Sequence, residues 1–452
     1  MTGNMTEGSP VKLILKFSLP LLLGNLLQQA YNMIDAAIVG QVLGADALAG
    51  VGASGSVQFL VLGFCIGICA GFSIPVAKYF GAGREDRLRT CIFHAYLLTA
   101  LFAAVITTVT ALLCNNILRI MSTPDNIYSD AYTYLLIIFL GIPFMLFYNL
   151  LAGIMRAVGD SRTPFIFLAV STVLNIFLDM LLIMVIKLGV AGAALATVMS
   201  QAVSGISCFV YIQKKYPLLR ISRDMFRFNR FAVRELFIMG VPMGLQYSIT
   251  AIGSMVMQSA NNGLGSDYVS GFTAGSKLKQ LAMCPFDAIA TGVSVFSGQN
   301  LGAGNDKRIR RGILSGIAIG TAYGAAVGLM LILFGRPLSL MFVKSSETAV
   351  LDASGKYLMC LGIFMWLIGI LNTCRMTIQG LGYSAVAIFS GAIEMAARIL
   401  VSKAFVPKYG FTAICFTDQS AWLTATIYCS IVCAVCVKKV TQKIREGKVI
   451  RI

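Results

Sequence analysis

Apolar runs of bilayer-spanning length alternate along this chain with short polar links. A hydrocarbon core about 30 Å thick takes about 20 helical residues to cross. Twelve runs meet that length, at 14–39, 49–77, 91–114, 129–152, 165–186, 190–212, 236–261, 268–297, 312–335, 353–380, 385–405 and 412–437. The pattern predicts an all-α polytopic membrane protein with twelve transmembrane helices.

Composition agrees with lipid as the solvent. Of 452 residues, 57% are hydrophobic and 12% charged, whereas soluble domains carry about 25% charged residues. The net charge of +17 does not point to nucleic acid, because the basic residues lie between spans rather than on one face or tail. With these spans, 26 of the 36 Lys and Arg fall on the side that holds both termini. They include Lys12, Lys16, the Lys78 to Arg89 link, seven between Lys214 and Arg234, and six from Lys438 to Arg451. That bias places both termini in the cytoplasm of a plasma (inner) membrane protein. The first run continues as a full span with no cleavage pattern, so it reads as an uncleaved first helix. The twelve cysteines lie almost all inside spans and read as packing residues without disulfides. The CxxC of Cys433 and Cys436 has no second pair and reads the same way.

The chain also matches itself when shifted by 221 to 223 positions. Leu43-Gly44-Ala45-Asp46 falls on Leu264-Gly265-Ser266-Asp267, and Gly81-Ala82-Gly83 on Gly302-Ala303-Gly304. Arg156 to Ser161 falls on Gln379 to Ser384, and Pro20 on Pro242. Two pseudo-symmetric six-helix lobes follow, with six spans each and the same orientation: residues 1–213 and 235–437. A basic cytoplasmic linker at 214–234 joins them, and a basic cytoplasmic tail covers 438–452. In transporters built from such repeats the solute site lies near the midplane and the repeats rock against each other.

Ionisable groups inside spans cost about 2.5 to 3.5 kcal/mol on insertion scales and are functional candidates. On the first span, Asn25, Gln28, Asn32 and Asp35 fall within an arc of about 80°. Tyr31 borders this polar face, and Pro20 can bend the helix below it. Asn175 and Asp179 are stacked on one face of the fifth span, and Thr197 on the sixth adds a hydroxyl. Two acids, an amide and a hydroxyl suit a small cation, or a proton shared by a carboxyl pair. Na+ or H+ is the expected ion, and no other cofactor is expected. The second half does not repeat this set: Val256 or Met257 stands for Asp35, and Arg398 and Ser402 stand for Asn175 and Asp179. Glu394 and Arg398 read as an intramembrane ion pair, either a clasp or part of a solute path. Asp287 is a further candidate for cationic solutes. Lys277 and Lys279 are expected to snorkel toward the outer surface, and His94 to be interfacial.

These residues carry a resemblance. Asp35 to Gly40 (DAAIVG), Leu43 to Ala49, Arg156 to Pro164 (RAVGDSRTP), Asn175-Ile-Phe-Leu-Asp179, Gly189 to Thr197 and Gly298 to Gly304 occur in this order over nearly the whole chain. The chain resembles the MATE exporters, the multidrug and toxic compound extrusion family. The resemblance implies export of small organic cations or amphipathic drugs in exchange for sodium ions or protons, and a bent first helix. It also implies that Asp35, Asn175, Asp179 and Thr197 form the cation site. One departure stands out: members with an essential acid on the seventh helix have no match here. Gln246, Ser248, Thr250, Ser254 and Gln258 are the polar interior residues of that helix.

A monomer in contact with membrane lipid is the expected assembly. The alternative within transport is a lipid-linked precursor flippase of related architecture, which a strongly basic cavity would favour and the interior acids disfavour. An enzyme is not expected, since no HExxH, GxSxG or GK[ST] pattern is present.

Overall fold

In lipid, a backbone amide has no water to bond, so apolar runs must satisfy their polar groups within helices. The computed structural model describes residues 3–121, 123–220 and 228–447, and these hold helices and the turns between them, without strands. They are α1 (Pro10–Leu43), α2 (Ala45–Gly81), α3 (Glu85–Ile120), α4 (Asp125–Leu140), α5 (Ile142–Ala157), α6 (Arg162–Asp179) and α7 (Val190–Lys215). The second half supplies α8 (Arg230–Asn262), α9 (Ser266–Gly302), α10 (Asp306–Ser339), α11 (Thr348–Gly380), α12 (Ser384–Leu400), α13 (Val406–Tyr409) and α14 (Phe411–Arg445). Eleven helical segments among the described residues are each long and apolar enough to cross a membrane. α4 and α5 pass that test together as one span bent by 46°. The bend lies beside Pro143, which removes an amide hydrogen from the ladder. Twelve crossings result, as the hydrophobic pattern predicts. The helices overrun the predicted spans: α1, with 34 residues, is about 51 Å long against a core of about 30 Å.

The repeat is written into the backbone. Four glycines with positive φ in the first half pair with four in the second: Gly44 and Gly265 (93° and 114°), Gly83 and Gly304 (65° and 68°), Gly159 and Gly382 (85° and 88°), Gly189 and Gly410 (60° and 55°). Gly189 and Gly410 also share ψ, −141° and −136°, a conformation open in practice to glycine alone. α6 and α12 each run directly into a single π turn, Met180–Val185 and Val401–Phe405.

The chain forms two compact units, Met1–Gly3 with Leu23–Gly244 (unit 1) and Asn4–Leu22 with Leu245–Ile452 (unit 2). Their borders thus fall inside α1 and α8, two residues beyond Pro20 and Pro242, and not in the basic linker. Both helices continue through their prolines. Of the linker, residues 221–227 lie outside the described residues, as do 448–452 of the tail; up to Arg445 the tail continues α14.

In unit 1 the core gathers Ile68, Phe72, Ile92, Leu135, Phe139 and Leu150. Gly71 of α2 packs so closely on Gly240 of α8 that a Cβ there would meet the Met239 carbonyl at 2.6 Å. His94 is fully buried within the protein: Nε2 accepts the Asn229 N–H at 2.9 Å and Nδ1 lies 2.8 Å from the Thr90 carbonyl. It therefore pins the start of α8 and has both ring nitrogens engaged.

In unit 2, Gly320, Gly324 and Gly328 recur every fourth residue on α10 and let α11 approach through Gly369, Trp366 and Gly362. A Cβ on Gly324 would stand 2.7 Å from both the Met365 carbonyl and Trp366 Cα. Small residues of this spacing are how helices gain contact where lipid supplies no hydrophobic drive. Ile14 and Phe17 of α1 pack here against Ile289, Val293 and Phe296 of α9. Below them, Gln299 accepts the Met5 N–H at 2.9 Å, and Asn300 and Arg308 donate to the Met5 carbonyl at 3.2 and 3.0 Å. Arg308 also donates to the Gly8 carbonyl at 2.7 Å.

Candidate functional site

The site in unit 1 begins with how α6 is held. Gly159, at φ 85°, reverses the chain after α5, and Asp160 then accepts the N–H groups of Arg162 and Thr163, both at 3.0 Å. These are two of the amides that a helix start leaves unbonded. The other Asp160 oxygen accepts the hydroxyls of Thr163, at 2.6 Å, and Tyr216. The RAVGDSRTP segment is thus a stop, a reversal and a cap that set the position of α6.

At the far end of α6 stand Asn175 and Asp179, 1% and 0% exposed. With the Asn175 amide turned to the orientation that satisfies both of its neighbours, its nitrogen donates to Asp179 Oδ2 at 3.0 Å and its oxygen accepts the Thr197 N–H of α7 at 3.1 Å. From α1, Asp35 (8% exposed) meets Asp179 carboxyl to carboxyl within hydrogen-bonding range. The Tyr31 hydroxyl of α1 lies 3.0 Å from Thr197 Oγ1. Tyr134 of α4, buried, lies within electrostatic range of both carboxyls. One turn of the first helix, the end of the fifth span and the start of the sixth therefore converge.

Two features define the chemistry. Oδ1 of Asp35 and Oδ1 of Asp179 are both buried without a hydrogen-bond partner. Among the described residues, neither acid belongs to an ion pair. Buried carboxylates without a countercharge are costly, and the cost falls when a proton is shared between them or a cation rests on their oxygens. Hard oxygen donors from two acids, a hydroxyl and an amide suit Na+ as well as H+.

The sequence-predicted set Asp35, Asn175, Asp179 and Thr197 is brought together here, with Tyr31 from the polar face of α1. Gln28 and Asn32 are exposed and stay outside it.

Unit 2 holds a different cluster. Arg398 of α12 donates from Nε to Asp418 Oδ1 of α14 at 3.1 Å, and its Nη1 is 3.5 Å from Glu394 Oε2. Lys279 of α9 pairs with Asp418 Oδ2 at 2.7 Å, and Arg375 of α11 pairs with Glu394. Tyr357 donates to Asp418 Oδ2 at 3.2 Å. The expected Glu394–Arg398 pair is therefore the centre of a five-residue chain of alternating charge across four helices. Lys279 does not snorkel, because a buried carboxylate bonds it inside the unit; Lys277 lies over the Phe342 ring, 5.5 Å from its centroid. Asp287 is exposed, accepts from Asn372 at 3.2 Å and lies within electrostatic range of Arg375 at one end of that chain. Asp418 escaped sequence reasoning, although it lies eight residues beyond Gly410, as Thr197 lies eight beyond Gly189.

The family profile described as MatE matches residues 20–181 and 242–403, one match in each half. A probable multidrug resistance protein, YpnP of Bacillus subtilis (strain 168), is 30% identical over 421 residues, covering 93% of this chain and 91% of that protein. The probable multidrug resistance protein NorM of Thermotoga maritima is 26% identical over 82% of this chain and 80% of its own length. Among solved structures, one titled as MATE in complex with MaL6 has the same fold, with a TM-score of 0.90 at 21% identity, covering 98% of this chain and 99% of that one.

Proposed function

Because the chain belongs to the MatE family, we propose that it is a secondary active antiporter that expels cationic or amphipathic organic compounds in exchange for Na+ or H+. The multidrug names of its relatives support the efflux reading. The ion coupling rests on one observation: two buried carboxyls that meet in unit 1, each with an oxygen lacking any partner.

In this reading Asp35 and Asp179 take the coupling ion, Asn175 orients Asp179, and the Tyr31–Thr197 pair supplies a neutral oxygen beside it. With no lysine or arginine bonded to them, the two acids are stable only when a proton or small cation is shared between them. Ion entry therefore favours one conformation of the surrounding helices, and solute binding favours the other. Exchange requires this coupling to be unfavourable between the two ligands, and linkage makes it reciprocal. A potential of 100 mV adds about 2.3 kcal/mol for each charge moved inward. Asp287, exposed and bonded to the Asn372 amide, suits a passing organic cation, and Glu394 with Arg398 fixes the fold of the unit around it. The protein works as a monomer by alternating access in the plasma membrane, with both termini in the cytoplasm, an orientation that the bias of its basic links supports.

Vesicles loaded with a cationic dye, given sodium and pH gradients separately, test the reading. Efflux should follow one of the two gradients and should be lost in Asp35→Asn protein that is folded and inserted. Undiminished gradient-driven efflux by that variant would overturn it.

A further inference from the structure

Landmarks in the two halves give a register for comparing their interiors. Tyr31 lies eleven residues beyond Pro20, and Gly253 lies eleven beyond Pro242. Thr197 and Asp418 each lie eight beyond the paired glycines Gly189 and Gly410. Between them, the last buried polar residues near the π turn are Asn175 and Asp179 in unit 1, and Glu394, Arg398 and Ser402 in unit 2. The same three helices of each repeat thus carry the corresponding positions: α1, α6 and α7 in the first, α8, α12 and α14 in the second.

The contacts correspond while the chemistry is inverted. In unit 1 the side chain from the first helix is a phenol bonded to the hydroxyl on the third, and the acid comes from the second. In unit 2 the first helix offers a glycine: a Cβ on Gly253 would stand 3.0 Å from Met395 Cα and 3.4 Å from Arg398 Cδ. The glycine lets α12 come close to α8, with the arginine stem in contact beside it. Its guanidinium reaches the acid on the third helix, Asp418, and flanks a second, Glu394. It lies between two carboxylates, as a bound cation would.

Pairing does not by itself require Arg398: Asp418 already has Lys279, and Glu394 already has Arg375, so two ion pairs would remain without it. Asp287 lies within electrostatic range of Arg375 at one end of the cluster, whereas among the described residues Arg398 is the base that reaches both Asp418 and Glu394. We infer that Arg398 is a tethered cation: it holds, in the second half, the place that an exchangeable cation takes in the first, and so closes that half to coupling ions. Ion coupling is then confined to Asp35 and Asp179, which rests on the function proposed above. The Met257 that stands where Asp35 stands in the first half is buried in the apolar core of unit 2, in keeping with a half that admits no ion from that side.

The test uses purified full-length protein carrying Asp35→Asn and Asp179→Asn, so that unit 1 makes no contribution. In this background Arg398→Ala should respond to guanidinium at millimolar concentration, and to sodium against choline at equal ionic strength, by a saturable rise in unfolding temperature. Arg398→Lys, which keeps the tethered charge, should show neither response, and neither should the background protein. Absence of both responses in Arg398→Ala overturns the inference. A second measurement does not depend on that variant folding: radioactive sodium should not bind the background protein, and saturable binding that disappears on Asp418→Asn overturns the inference too. If the unaltered chain showed no ion-driven efflux while guanidinium still filled the Arg398→Ala protein, the proposed function would fail and the tethered cation would stand.

Discussion

The Tyr31 hydroxyl and Thr197 Oγ1, on helices 166 residues apart in sequence, stand 3.0 Å from one another beside a pair of acids. This bond fixes the neutral side of the site, and a net hydrogen bond of this kind contributes about 0.5–1.5 kcal/mol. Tyr31→Phe should leave the fold intact and weaken apparent affinity for the coupling ion by about three- to tenfold. Efflux rate measured against ion concentration reads this directly; an unchanged half-saturation point would remove the pair from the site.

Asp35 and Asp179 are acids that the fold holds at a cost. Each has a buried oxygen without a partner, so replacing one acid by its amide removes a carboxyl that the fold does not need. Asp35→Asn should abolish ion-driven efflux while its unfolding temperature stays level or rises by a few degrees. A fall of many degrees would mean that the acid serves the fold.

Asp418 should behave in the opposite way. It is 1% exposed and bonds Lys279, Arg398 and Tyr357 at once. Asp418→Asn takes from Lys279 its ion-pair partner and from Arg398 one of two, and breaking a buried pair in this way costs about 3–5 kcal/mol. Expression and thermal unfolding should both drop. By contrast Asp352→Asn, at the pair with Arg336 whose side chains are 65% and 54% exposed, should change stability by less than about 1 kcal/mol.

The α10–α11 contact offers a test free of charge effects. Gly324→Val would drive a branched side chain into the Met365 carbonyl and Trp366 Cα, and overpacking at a backbone contact costs about 1–3 kcal/mol or more. Gly52→Ala, where no atom lies within 4 Å of the added carbon, should be tolerated. Unfolding curves of the two variants should separate by several degrees.

Much of this architecture is legible in the residues themselves. Hydrophobic run lengths predict the twelve crossings, because lipid imposes one length on each. Helical periodicity stacks Asn175 over Asp179, and the cost of an acid in lipid singles out Asp35. Partnerships across distant helices obey no such rule. Lys279 and Asp418 are 139 residues apart, and nothing local to either tells a snorkelling lysine from a paired one. The same limit applies to His94, whose partner amide on Asn229 is 135 residues away. Gln28 and Asn32 fall on the polar arc with Asp35, yet periodicity says which way a side chain points and not what comes to meet it.

The borders of the two units, placed just beyond Pro20 and Pro242, carry a consequence for the gene. Cutting the coding region in the basic linker would give a front fragment whose Ile14 and Phe17 have lost Val293 and Phe296, and a rear fragment with that groove left bare. Neither product would be a self-sufficient protein. Each fragment would lack the stretch of leading helix that belongs to its unit, Asn4–Leu22 for the rear one and the start of α8 for the front one.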